Sequence, residues 1–158
     1  MNRILLLFYI LKKFNNMKYF TLNELVRSST AERLGIDNTP SEEIKGHLIH
    51  FVDTILDPIR EAWGGPIIVS SGYRCPELNK AVGGVKNSGH QYGYCVDLQL
   101  KDSKRLREFA DFVFDWMLEH QMKFDQLIFE KSGSTVWLHF SWIGKDGKQR
   151  MKMFDIVK

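Results

Sequence analysis

Two short segments of alternating polarity each carry an ionisable side chain among apolar neighbours. Asp97 has apolar residues on both sides in segment 95–100, and His139 has them on both sides in segment 135–142. An alternation with a period of two residues predicts a β-strand in each segment. Because burial of an unpaired carboxylate is very unfavourable, we expect Asp97 to face a polar surface of a sheet or to bind a cation.

Helices are predicted before and beside these strands. Thr21 and Glu24 have the spacing of a capping box, and Ser41 is a candidate N-cap for a longer helix that ends near residues 64–66. Pro58 lies inside this longer pattern, where we expect a kink or a last turn. The apolar stripe of the longer helix consists of Ile44, Leu48, Phe51, Ile55 and Ile59. A second amphipathic helix is predicted over residues 104–120.

The remaining periodic segments complete a small sheet. Further strands are predicted at residues 67–70, 124–130 and 151–157, and a helical turn at residues 76–82. Segments 124–130 and 135–142 are joined by residues 131–134, so we expect them to pair as a hairpin. The predicted fold class is α+β, a small, mainly antiparallel sheet with helices packed on it.

Length and composition indicate one globular domain. The chain has 158 residues, of which 44% are hydrophobic, enough for one packed core. Its net charge of +3 comes from lysines and arginines that are spread along the chain, so we expect no nucleic-acid partner. We expect a monomer. Two cysteines, Cys75 and Cys95, are expected to be free thiols, with a disulfide between them as the alternative.

The N-terminal sixteen residues differ from the rest. Residues 4–10 are apolar and flanked by basic residues, but this run is too short for a membrane span. We interpret residues 1–16 as an extension that precedes a natural start at Met17, with a short signal or anchor segment as the alternative. Residues 17–158 then form the functional domain, and no stable membrane span is expected.

Three residues form a candidate metal site. His90 follows a loop rich in glycine and serine, and with Asp97 and His139 it offers two imidazoles and one carboxylate. Such a set suits a catalytic zinc ion, because it leaves a coordination position for water. The other histidines, His47, His50 and His120, have helical contexts and are interpreted as structural.

Three segments resemble a known family: "SGYRCPELNKAVGG" at residues 71–84, "SGHQYGYCVDL" at residues 88–98 and "WLHFSW" at residues 137–142. They are similar in order and spacing to the zinc D-Ala-D-Ala carboxypeptidase and L-alanyl-D-glutamate endopeptidase family, in its short phage- and bacterium-type lytic branch with a hedgehog-like fold. Residues 17–28 and 124–130 are also similar to this branch. The resemblance implies that His90, Asp97 and His139 bind one zinc ion.

The resemblance also implies roles for neighbouring residues. Arg74 would stabilise the developing oxyanion or anchor the substrate, and its alternative is a surface ion pair with Glu77. Ser88 would shape the loop before His90. The aromatic side chains of Tyr73 and Trp137 are candidates to line the cleft, with core packing as the alternative for each.

Two positions depart from the family pattern. Cys95 stands where the family usually has alanine, and we expect a change of packing only. The acid that many relatives carry three residues before the last histidine is replaced by Val136, so Glu130 is the candidate general base. We expect Glu130 to lie opposite Thr135 or Val136, with Gln126 beside His139.

The predicted function is hydrolysis of peptidoglycan stem peptides at the cell wall by a zinc-dependent peptidase. Carboxypeptidase and endopeptidase action use the same metal ligands and both stay open. The alternative is a non-catalytic, zinc-bearing module that binds the cell wall or serves as a phage structural part, which the missing acid at Val136 favours.

Overall fold

The computed structural model describes residues 17–158. The predicted extension, signal or anchor at residues 1–16 lies outside the described residues. No helix within residues 17–158 is long and apolar enough to cross a membrane.

Six α-helices are described within residues 17–158. They are α1 (Leu22–Val26), α2 (Ser29–Leu34), α3 (Glu42–Phe51), α4 (Asp57–Trp63), α5 (Pro76–Ala81) and α6 (Leu106–Glu119). The predicted capping box is confirmed, because Thr21 accepts a hydrogen bond from the Glu24 backbone and the Glu24 side chain accepts one from Thr21. Ser41 caps α3 as expected.

A π-helical turn, Val52–Leu56, joins α3 to α4. Pro58 lies in the first turn of α4, directly after the π turn, where a missing backbone N–H is best tolerated. The long predicted helix is therefore one continuous helix that changes from α to π geometry and back to α. Its stripe turns to the core, since Leu48, Phe51 and Ile59 are fully buried.

The five strands form one sheet in the order β1-β2-β4-β3-β5. They are β1 (Ile68–Ser71), β2 (Cys95–Gln99), β3 (Gln126–Ser132), β4 (Thr135–Ser141) and β5 (Lys152–Val157). All neighbours are antiparallel except β3 and β5, which are parallel. The α+β class and the mainly antiparallel sheet are confirmed.

The β3–β4 hairpin is tighter than predicted. Ser132 pairs with Thr135, so the turn consists of residues 133 and 134 only, and Gly133 supplies the positive φ of 58° that a two-residue hairpin turn needs. Glu130 consequently pairs with Trp137. The expectation that Glu130 lies opposite Thr135 or Val136 is wrong, because β3 extends two residues further towards the turn than the alternation suggested.

The two faces of the sheet have different roles. Directly paired residues share a face, and successive residues alternate between faces. One face, which includes Leu98, Leu138 and Phe140, is fully buried and belongs to the same core cluster as the apolar sides of α3 and α6. The opposite face carries the paired residues Asp97 and His139. The alternation therefore separates a core face from a polar face.

Gly72 lies where β1 leaves the sheet and passes α1 at very short range. A Cβ atom at this position would lie 2.1 Å from the Leu25 carbonyl oxygen. The next residue, Tyr73, donates its backbone N–H to the same oxygen at 2.6 Å. Tyr73 is thereby drawn into the core with 7% exposure, and burial raises its pKa. Of the two alternatives for Tyr73, the structure therefore shows core packing and not the lining of the cleft.

We expect Gly72→Ala to lower the free energy of unfolding by about 1–3 kcal/mol, because the added methyl group meets fixed backbone atoms. The control is Gly46→Ala, at an exposed position of α3 with nothing within 4 Å of the added atom. That change should raise stability by up to about 1 kcal/mol, since alanine favours a helix interior. Chemical denaturation measures the free energy of unfolding of both variants. Equal changes in the two would contradict the close approach of Gly72 to the Leu25 carbonyl.

Candidate functional site

The polar face of the sheet forms the floor of an open cavity of about 610 Å³. Strands β2, β3 and β4 contribute Asp97, Glu130 and His139 to its lining. The loop that follows α5 also lines the cavity, as do Ile156 of β5 and Lys158. The residues that the sequence singled out for chemistry therefore meet in one place, apart from Tyr73.

Asp97 lies at the centre of this site. It is 9% exposed, and its Oδ1 atom lies 2.9 Å from His139 Nδ1 and 3.3 Å from His90 Nε2. The β2–β4 register places Asp97 directly opposite His139. Arg74 Nη2 lies 3.3 Å from the second carboxylate oxygen. Two imidazoles and one guanidinium thus converge on a single buried carboxylate.

His90 is held by a short 3₁₀ helix, Gly89–Tyr92, which Ser88 caps by accepting a hydrogen bond from the His90 backbone N–H. Ser88 therefore lies at the start of the turn that carries His90, as its expected loop-shaping role requires. His90 Nδ1 lies 2.7 Å from the Gly72 carbonyl oxygen. Because a carbonyl only accepts, Nδ1 carries the hydrogen and Nε2 presents a lone pair to the cavity.

The Nε2 atom of His90 is buried and has no hydrogen-bond partner. Burial lowers the pKa of His90, so the ring is neutral at pH 7. Burial alone would raise the pKa of Asp97, but attraction to the rings of His90 and His139 holds it well below its usual range. A lone pair and a carboxylate oxygen therefore face each other at 3.3 Å, a contact that a bound cation would make favourable.

The donor atoms fit a zinc ion by their chemistry. Zinc accepts imidazole nitrogen and carboxylate oxygen, which His90, His139 and Asp97 present to one another. Cys95 lies beside them, and one ligand atom each of His90, Cys95 and His139 lies within 4.8 Å of the other two. Cys75 and Cys95 are both free thiols, as expected.

Arg74 is fixed in the cavity wall by its own backbone. Its N–H donates to the His90 carbonyl oxygen at 3.1 Å, and its guanidinium contacts Asp97. The alternative of a surface ion pair with Glu77 is wrong, because the Arg74 side chain is only 15% exposed and turns to the carboxylate. Its buried Nε has no hydrogen-bond partner, so a donor remains for another acceptor.

Asn38 positions Arg74 and was not singled out from the sequence. Its side-chain amide donates to the carbonyl oxygens of Val26 and Tyr73, and its Oδ1 accepts from the Cys75 N–H at 2.7 Å. These bonds hold the residues before and after Arg74. The sequence signal for this role was weak, because asparagine is common in turns and the partners of Asn38 are distant in the chain.

Glu130 shares the face of His139, as its candidate role requires. It pairs with Trp137, and Trp137 and His139 are two residues apart on β4, so Glu130 is a diagonal neighbour of His139. Within residues 17–158 the cavity acids Asp97, Asp125 and Asp146 form ion pairs, whereas Glu130 forms none. Glu130 is therefore the cavity carboxylate that no cation holds.

Gln126 lies elsewhere than expected. It pairs with Ser141, and the residue opposite His139 is Ile128. The expected register is wrong by two residues, as for Glu130, so Gln126 is a diagonal neighbour of His139 and not its direct partner. Gln126 and Trp137 both line the cavity.

We expect Asn38→Ala to lower the free energy of unfolding by about 1–3 kcal/mol, because buried backbone groups lose their partners. The control Asn23→Ala, at an exposed position of α1, should change stability by less than about 0.5 kcal/mol. Chemical denaturation distinguishes them, and an unchanged midpoint for Asn38→Ala would show that these hydrogen bonds contribute nothing.

A known protein family matches most of the chain. No curated protein matches the sequence. The model of the family described as Peptidase M15 matches residues 18–135, which include Arg74, His90, Asp97 and Glu130 and end before His139. This match covers most of the chain, and the chain therefore belongs to the peptidase M15 family, whose members are zinc peptidases.

Proposed function

We propose that this peptidase uses His90, Asp97 and His139 as its zinc ligands and cleaves peptidoglycan stem peptides. The observation that carries the proposal is the unpartnered Nε2 of His90, which converges with His139 Nδ1 on Asp97 Oδ1. No side chain within residues 17–158 gives this buried nitrogen a hydrogen bond. A divalent cation accounts for all three atoms at once.

When bound, zinc acts as a Lewis acid that polarises a scissile carbonyl and lowers the pKa of a coordinated water to about 7. Glu130 accepts a proton from the attacking water and later donates it to the leaving amine. Its position supports this role, because diagonal neighbours on paired strands lie roughly 7–8 Å apart and a glutamate side chain reaches between them.

Arg74 stabilises the negative charge that develops on the carbonyl oxygen. Its Nη2 is anchored to Asp97, while the unpartnered Nε faces no competing acceptor in residues 17–158. A guanidinium fixed in this way needs no reorganisation when the oxyanion forms. The backbone bonds of Asn38 and His90 keep it in place.

The cavity suits an anionic peptide. The exposed side chains of Lys145 and Lys158 lie at its rim, and Trp137 and Val82 supply apolar surface. Stem peptides carry free carboxylates, which these cations would attract. Gln126 offers an amide for backbone hydrogen bonds of the substrate. We place the action at the cell wall, on a terminal D-Ala or on an L-Ala–D-Glu bond.

We expect Glu130→Gln to retain one zinc ion per chain and to lose at least about 10²-fold in cleavage rate, because the amide cannot accept the proton. The control Glu119→Gln, at the exposed end of α6, should cleave normally. Zinc is measured by elemental analysis, and products of a purified peptidoglycan digest are identified by mass spectrometry. The mass of the products also identifies the bond.

The outcomes separate the two function classes. Zinc without any product from the unmodified protein would favour the non-catalytic cell-wall-binding module. Normal cleavage by Glu130→Gln would exclude Glu130 as general base while leaving the peptidase intact. Absence of zinc after reconstitution would overturn the ligand assignment.

We expect Arg74→Ala to lower kcat by about 10²–10³ with a much smaller change in KM, because its donors act on the transition state. Arg33→Ala, which removes an exposed arginine of α2, is the matched control. Steady-state kinetics on a synthetic stem peptide gives both constants. A rise in KM with unchanged kcat would assign Arg74 to substrate anchoring instead.

A further inference from the structure

We propose that Cys95 supplies a thiolate to the metal ion held by His90 and His139, so that the metal site of this chain includes a sulfur ligand. The inference rests on the proposed zinc site and deepens it. It replaces the expectation that Cys95 changes packing only.

The strand geometry directs Cys95 to the metal site. Cys95 and Asp97 are two residues apart on β2 and therefore share a face. Cys95 pairs with Ser141, the residue two positions after His139 on β4, so it is a diagonal neighbour of His139. The side chain is completely buried beneath the cavity.

The donor atoms are close enough for one ion. The ligand atoms of His90, Cys95 and His139 all lie within 4.8 Å of one another. Donors around a zinc ion lie roughly 3.5 Å apart, so the widest pair would close by about 1.3 Å. With Cys95 added to His90, Asp97 and His139, the water of the proposed reaction would be a fifth ligand, a coordination number that catalytic zinc can adopt. The lone pair of His90 Nε2, which lacks a hydrogen-bond partner, belongs to this group.

The loop that carries His90 leaves space for the sulfur. A Cβ atom at Gly89 would lie 3.1 Å from Cys95 Sγ, closer than carbon and sulfur normally approach. Glycine at this position therefore lets the sulfur pack against the backbone next to His90. A larger residue would push the thiol or the histidine out of place.

The charge balance supports a thiolate in this position. The Cys95 side chain is completely buried, so its sulfur can be a thiolate in this position only beside a bound cation. On binding, the thiol releases one proton to solvent and sulfur donates an electron pair to the metal. Together with the ionised Asp97, the thiolate neutralises the two positive charges of the ion.

Cys75 provides a matched control within the same chain. Its side chain is partly exposed, and its Sγ accepts a hydrogen bond from the Leu78 N–H at the start of α5. Cys75 is absent from the group of metal-ligand atoms that includes Cys95. The two cysteines therefore differ in access to the proposed ion.

The test uses cobalt(II) in the full-length protein. We expect a thiolate-to-cobalt charge-transfer band in the near ultraviolet that Cys95→Ala abolishes and Cys75→Ala retains. Cobalt bound without this band, or a band that survives in Cys95→Ala, would overturn the role of Cys95 and leave the proposed function untouched. Failure of the unmodified protein to bind cobalt or zinc would overturn the proposed function and this inference together.

X-ray absorption at the zinc edge makes the test independent of any variant. In the zinc-loaded, unmodified protein we expect one sulfur neighbour at about 2.3 Å and lighter neighbours at about 2.0–2.2 Å. A shell of nitrogen and oxygen alone would exclude the thiolate. This measurement decides the question even if Cys95→Ala does not fold.

Discussion

The buried carboxylate of Asp97 is the constraint on which the site depends. A carboxylate in the middle of an apolar strand is tolerated only when other groups compensate its charge and satisfy its oxygens. Here two imidazoles lie at its Oδ1 and a guanidinium lies at its Oδ2. The fold can be understood as the arrangement that delivers these partners to one point of the sheet.

A different structural feature places each partner beside Asp97. The β2–β4 register brings His139, the capped 3₁₀ helix brings His90, and the hydrogen bonds of Asn38 fix the segment of Arg74. Gly72 takes part in two of these contacts: its carbonyl oxygen orients the His90 ring, and the absence of a side chain lets α1 approach the segment that carries Arg74. Packing and hydrogen bonds outside the cavity therefore fix the positions of the polar atoms inside it. The proposed chemistry depends on these fixed positions.

Local patterns in the sequence predicted most of the elements and the residues at the centre of the site. Alternation is a local property, so short segments were enough to predict the strands β2 and β4. They also indicated that Asp97 and His139 lie on the polar face of the sheet or bind a cation. The pairing of Glu130 with Trp137 could not, because it depends on which residues form the hairpin turn. Asn38 was missed, and the sequence could not decide between core packing and cleft lining for Tyr73, because the partners of both residues lie far away in the chain.

The most direct test of the account is anomalous diffraction at the zinc absorption edge from crystals of the zinc-loaded protein. We expect one strong anomalous peak at about 2.0–2.2 Å from His90 Nε2, Asp97 Oδ1 and His139 Nδ1. A zinc peak elsewhere, for example at His47 or His120, with none between these three atoms, would contradict the central claim. The buried carboxylate would then be compensated by hydrogen bonds and ion pairs alone.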